Sequence, residues 1–160
     1  MRKKLRLLKS QYDELNVELK KGKIKIKGLL GEGELENRVT RKGAGSLFSF
    51  LQQECIGVSF GFFVSMYLHG IGYKVWCSKD RKKLLFKLGY NHLIKFKLPS
   101  TMQVYTRKSR FVLFGMDKQE VNIIANRIMY LRKPDSYKGK GIRYTDKILV
   151  LKETKDAKKK

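Results

Sequence analysis

The sequence is poor in several residue types that define common classes of protein. Its 160 residues include two cysteines, two prolines, two histidines and one tryptophan. Cys55 and Cys77 have neither the spacing of a zinc site nor that of a disulfide framework, and both lie in apolar surroundings, so we expect free, buried thiols. His69 and His92 are far apart in sequence and have no companions of ligand type. The sequence therefore predicts no metal site and no cofactor.

Acidic residues are scarce as well. Only 14 Asp and Glu stand against 37 Lys and Arg, which gives a formal net charge of +23. Because a free globular protein with this charge repels itself, we expect a polyanionic partner, either nucleic acid or an anionic membrane surface. The hydrophobic fraction of 42% is sufficient for a packed core in one ordinary domain or two small ones.

The residue constellations typical of enzymes are missing. No Ser/His/Asp or Cys/His set has a credible spacing, no paired carboxylates flank a motif, and no phosphate-binding glycine loop follows a strand. The run Gly70-Ile71-Gly72-Tyr73 lacks a third glycine and a following helix. We therefore expect no enzymatic activity, no catalytic residue and no small-molecule substrate.

Charged residues are absent from Cys55 to Tyr73, a length close to the roughly 20 residues that span a bilayer. Glycines interrupt this segment, and its hydrophobic pattern changes from helical to alternating near Gly61. The end of a helix, a turn and a buried strand explain the segment better than a transmembrane helix does. A protein of the membrane surface would carry lysines along a helix face, whereas the predicted helices carry little positive charge.

The chain does contain a regular succession of strand and helix patterns. Residues 15–20 and 23–27 predict a hairpin, residues 34–39 a weaker third strand, and residues 46–60 a helix with Ser46 as its N-cap. Alternating segments between residues 62 and 114, followed by a helix from Asp117 to Lys133, repeat this order. The pattern predicts an α+β protein of two small similar domains, each an antiparallel sheet packed by one helix, plus a basic C-terminal tail.

The most specific stretch is residues 131–146, Leu-Arg-Lys-Pro-Asp-Ser-Tyr-Lys-Gly-Lys-Gly-Ile-Arg-Tyr-Thr-Asp. Gly139 and Gly141 alternate with Lys138 and Lys140. Glycine permits a positive φ or a close approach of the backbone to a partner, and the lysines bring positive charge to that approach. Together with the neighbouring tyrosines and arginine, this composition suits a surface rich in phosphates and bases.

This stretch closely resembles the C-terminal signature of the ribosomal large-subunit protein six family. The family pattern runs Arg, any residue, Pro-Glu-Pro-Tyr-Lys-Gly-Lys-Gly, an aliphatic residue and Arg-Tyr. Asp135 replaces Glu, and Ser136 replaces the second Pro, which predicts a looser turn. Ordered similarities cover residues 54–160, and they include segments similar to other motifs of the family. These segments are Glu54–Phe62, Leu68–Lys74, Leu88–His92 and Gly115–Gln119.

The resemblance implies a structural role in the large ribosomal subunit. The chain would bind large-subunit rRNA near the sarcin-ricin and factor-binding region, with neighbouring ribosomal proteins as further partners and no membrane. Another basic RNA-binding protein and a basic membrane-surface protein are the alternatives. The candidate RNA-binding residues are Arg132, Lys133, Tyr137, Lys138, Gly139, Lys140, Gly141, Arg143 and Tyr144, together with Tyr73, Lys74, Arg107 and Lys108.

The domain organisation follows from the pattern and the resemblance together. We expect a shortened N-terminal α+β domain at residues 1–61, a C-terminal RNA-binding α+β domain at 62–151 and a basic tail at 152–160. The tail has almost no apolar content, so we expect it to become ordered only on RNA. We expect Gly139 and Gly141 to serve the approach to RNA, with little effect on the stability of the domain.

Composition also bears on the compartment. Lysine outnumbers arginine, and alanine and proline are scarce, which is typical of an A/T-rich genome. With the shortened first domain, this bias favours a protein of the mitochondrial ribosome, and the absence of an Arg/Ser-rich, acidic-poor presequence fits encoding within the organelle without deciding it. A plastid and the cytoplasm of a low-GC bacterium are the alternatives.

Overall fold

The computed structural model describes residues 15–20, 23–36 and 44–153. Over these residues the chain forms ten β-strands and two α-helices. In chain order they are β1 (Asn16–Lys20), β2 (Lys23–Lys27), β3 (Glu32–Glu36), α1 (Ala44–Ser59), β4 (Phe62–His69), β5 (Lys74–Cys77), β6 (Lys83–Lys87), β7 (Ile94–Lys97), β8 (Met102–Arg107), β9 (Arg110–Gly115), α2 (Lys118–Leu131) and β10 (Gly141–Tyr144). They fall into two compact units: unit 1 contains residues 15–62 and Gly115–Lys118, and unit 2 the remainder of the described chain.

Unit 1 is a three-stranded antiparallel sheet covered by α1. The strand order is β1-β2-β3. In β2 the side chains of Ile24 and Ile26 are buried while those of Lys23 and Lys27 are exposed, so the strand has one apolar face. Residues three or four apart on α1 pack on that face. The core of unit 1 is Leu15, Ile24, Ile26, Leu47, Leu51, Cys55 and Val58.

Unit 2 contains two sheets that share one core with α2. The four-stranded sheet has the order β10-β4-β9-β8, and the three-stranded antiparallel sheet has the order β5-β6-β7. One face of α2 is buried in this core. The rings of Phe86 in β6 and Phe111 in β9 meet edge to face with centroids 5.7 Å apart, which joins the two sheets. The buried residues of α2 are Val121, Ile124, Ala125 and Ile128.

The predicted fold class, α+β with antiparallel sheets and one helix per unit, is confirmed. The domain bounds 1–61 and 62–151 stay a prediction. In detail, Ser46 lies within α1, where its carbonyl accepts a hydrogen bond from Ser49 Oγ at 2.8 Å, so it is not the N-cap. The third strand starts at Glu32 rather than Glu34. The principal element that the sequence did not predict is β10.

The predicted tail at 152–160 lies almost entirely outside the described residues. Of its positions the structure describes Lys152 and Glu153. The backbone N–H of Lys152 donates to the carbonyl of Ser136 at 2.9 Å, so the start of the tail is attached to the signature stretch.

Candidate nucleic-acid interface

The signature stretch begins where α2 ends. Pro134 has no backbone N–H to continue the helix, and α2 stops at Leu131. The chain then turns through residues 135–141, which we call the glycine loop, and enters β10. The N–H of Ile142 donates to the carbonyl of Arg132 at 2.9 Å, so the two ends of the loop are tied together.

Asp135 organises the glycine loop. Its backbone N–H donates to the carbonyl of Lys140 at 2.9 Å, and its own carbonyl accepts from the N–H of Gly139 at 2.9 Å. Its carboxylate accepts from the N–H groups of Lys138 at 3.1 Å and Tyr137 at 3.3 Å. Aspartate forms such turns readily, because its short side chain reaches the backbone two or three residues on. The turn is therefore held by hydrogen bonds of Asp135, and the expectation that Ser136 makes it looser than a second proline would stays a prediction.

The hydrogen bonds from the Lys138 and Tyr137 N–H groups hold the pKa of the Asp135 carboxyl below its usual range. A carboxyl whose pKa is lowered by folding stabilises the fold above its unfolded pKa, and that stabilisation is lost as the pH falls through the folded pKa. We expect Asp135→Ala to melt at a lower temperature than the wild type at pH 7, and the difference to vanish in acid.

Thermal melts of both proteins across the acidic range check this expectation. Asp135→Asn is the control for the charge, because its amide oxygen can accept one of the two hydrogen bonds without a titrating group, so its difference from the wild type should also shrink in acid while its difference from Asp135→Ala should not depend on pH. A difference between wild type and Asp135→Ala that is constant down to the acid limit would show that the carboxylate does not hold the turn.

The two glycines of the loop approach the protein's own chain. A Cβ on Gly141, whose φ is +151°, would lie 2.6 Å from the carbonyl oxygen of Lys133 and 2.6 Å from Cα of Pro134. A Cβ on Gly139, whose φ is +68°, would lie 3.2 Å from Leu151 and 3.4 Å from Nη2 of Arg143. Both glycines are buried. The structure therefore corrects the expectation that they matter little for stability, because the close approach they permit is between segments of one chain.

Strand pairing in unit 2 brings the predicted residues of β5 and of the β8–β9 turn to the end of the unit where the glycine loop lies. Gly141 at the start of β10 is paired with His69 at the end of β4. The N–H of Leu68 donates to the carbonyl of Ser109 in the β8–β9 turn at 2.7 Å, and the N–H of Val75 donates to that of Lys108 at 3.1 Å. The glycine loop, the β8–β9 turn and the start of β5 therefore lie at one end of unit 2. The exposed cations of this end include Lys74, Arg107, Lys108, Lys133, Lys138 and Lys140.

Arginine and tyrosine side chains are paired beside this end. The guanidinium of Arg132 lies 4.7 Å from the ring centroid of Tyr90 and 6.0 Å from that of Tyr73. The guanidinium of Arg143 lies 5.2 Å from the centroid of Tyr67, a residue directly opposite it in the β10–β4 pair. Stacking on a ring fixes the plane of a guanidinium while its N–H groups remain donors, so these arginines are oriented for phosphate or base contacts.

The predicted tyrosines are placed differently from one another. Tyr137 in the glycine loop is 54% exposed and free to meet a partner. Tyr73 is 9% exposed and belongs to the core of unit 2, and its ring lies next to the guanidinium of Arg132. Tyr144 donates to Oδ1 of Asn126 on α2 at 2.7 Å, and burial raises the pKa of its phenol. Tyr73 and Tyr144 therefore position neighbouring side chains, Arg132 and Asn126 respectively, and are not free to meet a partner themselves.

Positive charge is distributed unequally between the units. In the described part of unit 1, 5 lysines stand against 6 acidic residues, and in that of unit 2, 19 Lys and Arg stand against 5. In unit 1, Lys27 is paired with Glu32 at 2.7 Å and Lys23 with Glu34 at 3.2 Å across the sheet. The solvent face of that sheet is thus largely neutralised, whereas unit 2 has the field that attracts a polyanion.

Sequence reasoning did not identify Tyr67, Tyr90 and His92 as parts of this region. Each is brought there by strand pairing or by packing between segments far apart in the chain. The available signal for Tyr90 and His92 was the resemblance of Leu88–His92 to a family motif, which did not assign them a role. The thiols differ from expectation in part: Cys55 is buried and Cys77 only half-buried, both are free, and burial raises the pKa of each. Within residues 15–20, 23–36 and 44–153 no group of three or more His, Cys, Asp or Glu could hold a metal ion.

The same described residues include no helix with the length and apolar character needed to span a bilayer. The uncharged segment from Cys55 to Tyr73 instead contains the end of α1, a turn at Gly61 and strand β4. This agrees with the interpretation of its sequence pattern.

Comparison with known proteins identifies the family. The family model described as "Ribosomal protein L6" matches residues 69–145, which include β5 to β9, α2 and β10. The "Large ribosomal subunit protein uL6" of Thermodesulfovibrio yellowstonii is 40% identical over 113 residues, 69% of this chain and 62% of that protein. The protein of the same name from Helicobacter pylori strain Shi470 is 34% identical over 124 residues, 78% of this chain and 68% of that protein.

A third relative, "Large ribosomal subunit protein uL6m" of Reclinomonas americana, is 41% identical over 112 residues, 69% of this chain and 60% of that protein. The chain thus spans less than two thirds of the length of several of the relatives that it matches. None of these names is that of an enzyme, in agreement with the prediction of no enzymatic activity. The family-model match over residues 69–145 and the identity to these relatives show that the chain belongs to the ribosomal protein L6 family.

Proposed function

We propose that the chain is a structural, non-catalytic component of the large ribosomal subunit that binds rRNA through unit 2. The observation that carries this proposal is the basic end of unit 2, where the glycine loop, the β8–β9 turn and the start of β5 gather exposed lysines and arginines. Contacts of this type with phosphates supply most of the affinity of basic proteins for nucleic acid. Membership of a ribosomal protein family supports the same assignment.

Within the subunit, we place the contact near the sarcin-ricin and factor-binding region, as the resemblance of the signature implies. Neighbouring ribosomal proteins are the further partners, and unit 1 is suited to such contacts, because its sheet face is neutralised by cross-strand ion pairs. The structure gives little support to the membrane-surface alternative. The described part of α1 contains no Lys or Arg, and α2 contains Lys118 and Arg127 alone.

The ribosome we propose is that of a mitochondrion. The composition of the chain and the relative uL6m from Reclinomonas americana support this compartment, while most of the matched relatives are bacterial. Mass spectrometry of mitochondrial ribosomes and of whole-cell ribosomes, each purified from the source cells, tests the compartment separately from the function.

The function is tested by sedimentation of the tagged full chain through a sucrose gradient. We expect the chain to co-sediment with the large subunit at physiological salt and to move to the top of the gradient after ribonuclease treatment. Sedimentation with membranes, or a position in the gradient that ribonuclease does not change, would contradict the proposal.

A further inference from the structure

The turn between β6 and β7 carries an aromatic pair beside the signature stretch. The hydroxyl of Tyr90 donates to the carbonyl of Leu131, the last residue of α2, at 3.4 Å. The guanidinium of Arg132 lies 4.7 Å from the centroid of the Tyr90 ring. The ring of Tyr90 is thus fixed in position by a hydrogen bond at its hydroxyl and by a cation over its face.

His92 extends this arrangement by one more ring. Its imidazole is stacked with the Tyr90 ring, with centroids 6.0 Å apart and planes inclined by 21°. Tyr90 is 40% exposed, and His92 is also exposed. A guanidinium, a phenol and an imidazole therefore form a series in which the two rings remain open to solvent.

The two exposed rings can stack on the face of a nucleic-acid base, which exposed lysines cannot do. Phosphate contacts position RNA without distinguishing paired from unpaired regions. The flat face of a base can stack on an aromatic ring only when the base is released from its helix, as in a loop or a bulge. An arginine beside the rings adds a cation–π contribution and a phosphate donor.

We propose that Tyr90, His92 and Arg132 form a stacking site for the base of an unpaired nucleotide in RNA. This inference rests on the proposed RNA-binding function and extends it to a particular RNA feature. The lysines of the glycine loop hold the phosphate backbone, and the Tyr90–His92 pair receives the extruded base. Unit 2 then recognises an RNA helix that carries a bulge or an open loop in preference to a continuous duplex.

The test uses the full chain and two RNA hairpins that are closed by the same non-nucleotide linker and have equal numbers of phosphates, one fully paired and one with a single bulged 2-aminopurine. We expect the wild type to bind the bulged hairpin roughly 5- to 150-fold more tightly, the range given by stacking of one base. The fluorescence of 2-aminopurine should be quenched on binding. Tyr90→Leu should abolish the preference and the quenching, while the salt dependence of binding to the paired hairpin stays unchanged.

Three variants keep this test falsifiable. Tyr90→Phe retains the ring and should retain the preference. Tyr130→Leu is the matched control and should retain the preference. Tyr130 is also exposed and lies beneath a cation, Lys133 at 4.5 Å, but no second ring stacks on it among the described residues. His92→Ala removes an exposed ring and should reduce the preference even if Tyr90→Leu does not fold.

The outcomes separate this inference from the proposed function. If the wild type binds both hairpins equally, or if Tyr90→Leu and His92→Ala keep the preference, the stacking site is wrong while the salt-dependent RNA binding stands. If the wild type binds neither hairpin at low salt, the stacking site and the proposed RNA-binding function both fail.

Discussion

Gly141→Ala is expected to destabilise unit 2 by about 3 kcal/mol or more, because it combines backbone strain with overlap of fixed atoms. The added Cβ would lie 2.6 Å from the carbonyl oxygen of Lys133 and 2.7 Å from the nitrogen of Pro134. Both belong to backbone, so neither can rotate away. The overlap can be relieved only if β10 moves away from β4, and this movement would break the pair between Gly141 and His69.

Thermal unfolding measures this effect. At about 4–8 °C per kcal/mol for a domain of this size, the midpoint should fall by more than about 12 °C. Gly72→Ala is the matched control: Gly72 also has a positive φ, +75°, but a Cβ there meets nothing within 4 Å, so only strain of about 1 kcal/mol is expected. Equal losses for the two variants would show that the packing of Gly141 against residues 133–134 is unimportant.

The double variant Lys138→Ala, Lys140→Ala is expected to lose much of the affinity of the chain for RNA. Each lysine that neutralises a phosphate contributes about 0.7–0.9 to the slope of log K against log salt, so the slope should fall by about 1.4–1.8. At 0.1 M salt this corresponds to binding that is roughly 25- to 60-fold weaker, with affinities converging near 1 M. Both side chains are exposed, so the fold should be preserved.

The matched control for this experiment is Lys23→Ala, Lys27→Ala in unit 1. It removes the same charge, but these lysines are already paired with Glu34 and Glu32. Filter-binding titrations over a range of salt, with the same RNA hairpin, should show a nearly unchanged slope for this control. If the control changes the slope as much as the glycine-loop variant does, the contrast between the two units is wrong.

Hydrophobic periodicity was sufficient to predict most of the fold. The alternation of Ile24 and Ile26 with lysines, and the helical face that includes Val121 and Ile128, are local patterns that tertiary packing preserves. Strand β10 has no such pattern, because it begins with glycine and is short. It is a strand because it pairs with β4, more than 70 residues earlier in the chain. Such pairing is a property of the whole fold.

In the candidate site, too, the sequence identified what is local in the chain and missed what depends on contacts between distant segments. Its lysines and glycines are contiguous in sequence, and a motif therefore identified them. The ring beneath each arginine comes from elsewhere: Tyr67 lies on β4, and Tyr90 lies in the β6–β7 turn. The role of Gly141 was also misjudged from sequence, because the atoms that exclude a Cβ belong to residues 133 and 134, which lie across the loop.

A density map of the chain within purified large ribosomal subunits tests the proposed function most directly. We expect Lys138, Lys140 and Arg143 to lie within hydrogen-bond distance of rRNA phosphates or bases, and the charge-paired sheet face of unit 1 to lie away from RNA. A map in which the glycine loop faces protein or solvent, while the paired lysines of unit 1 contact RNA, would contradict the assignment of RNA binding to unit 2.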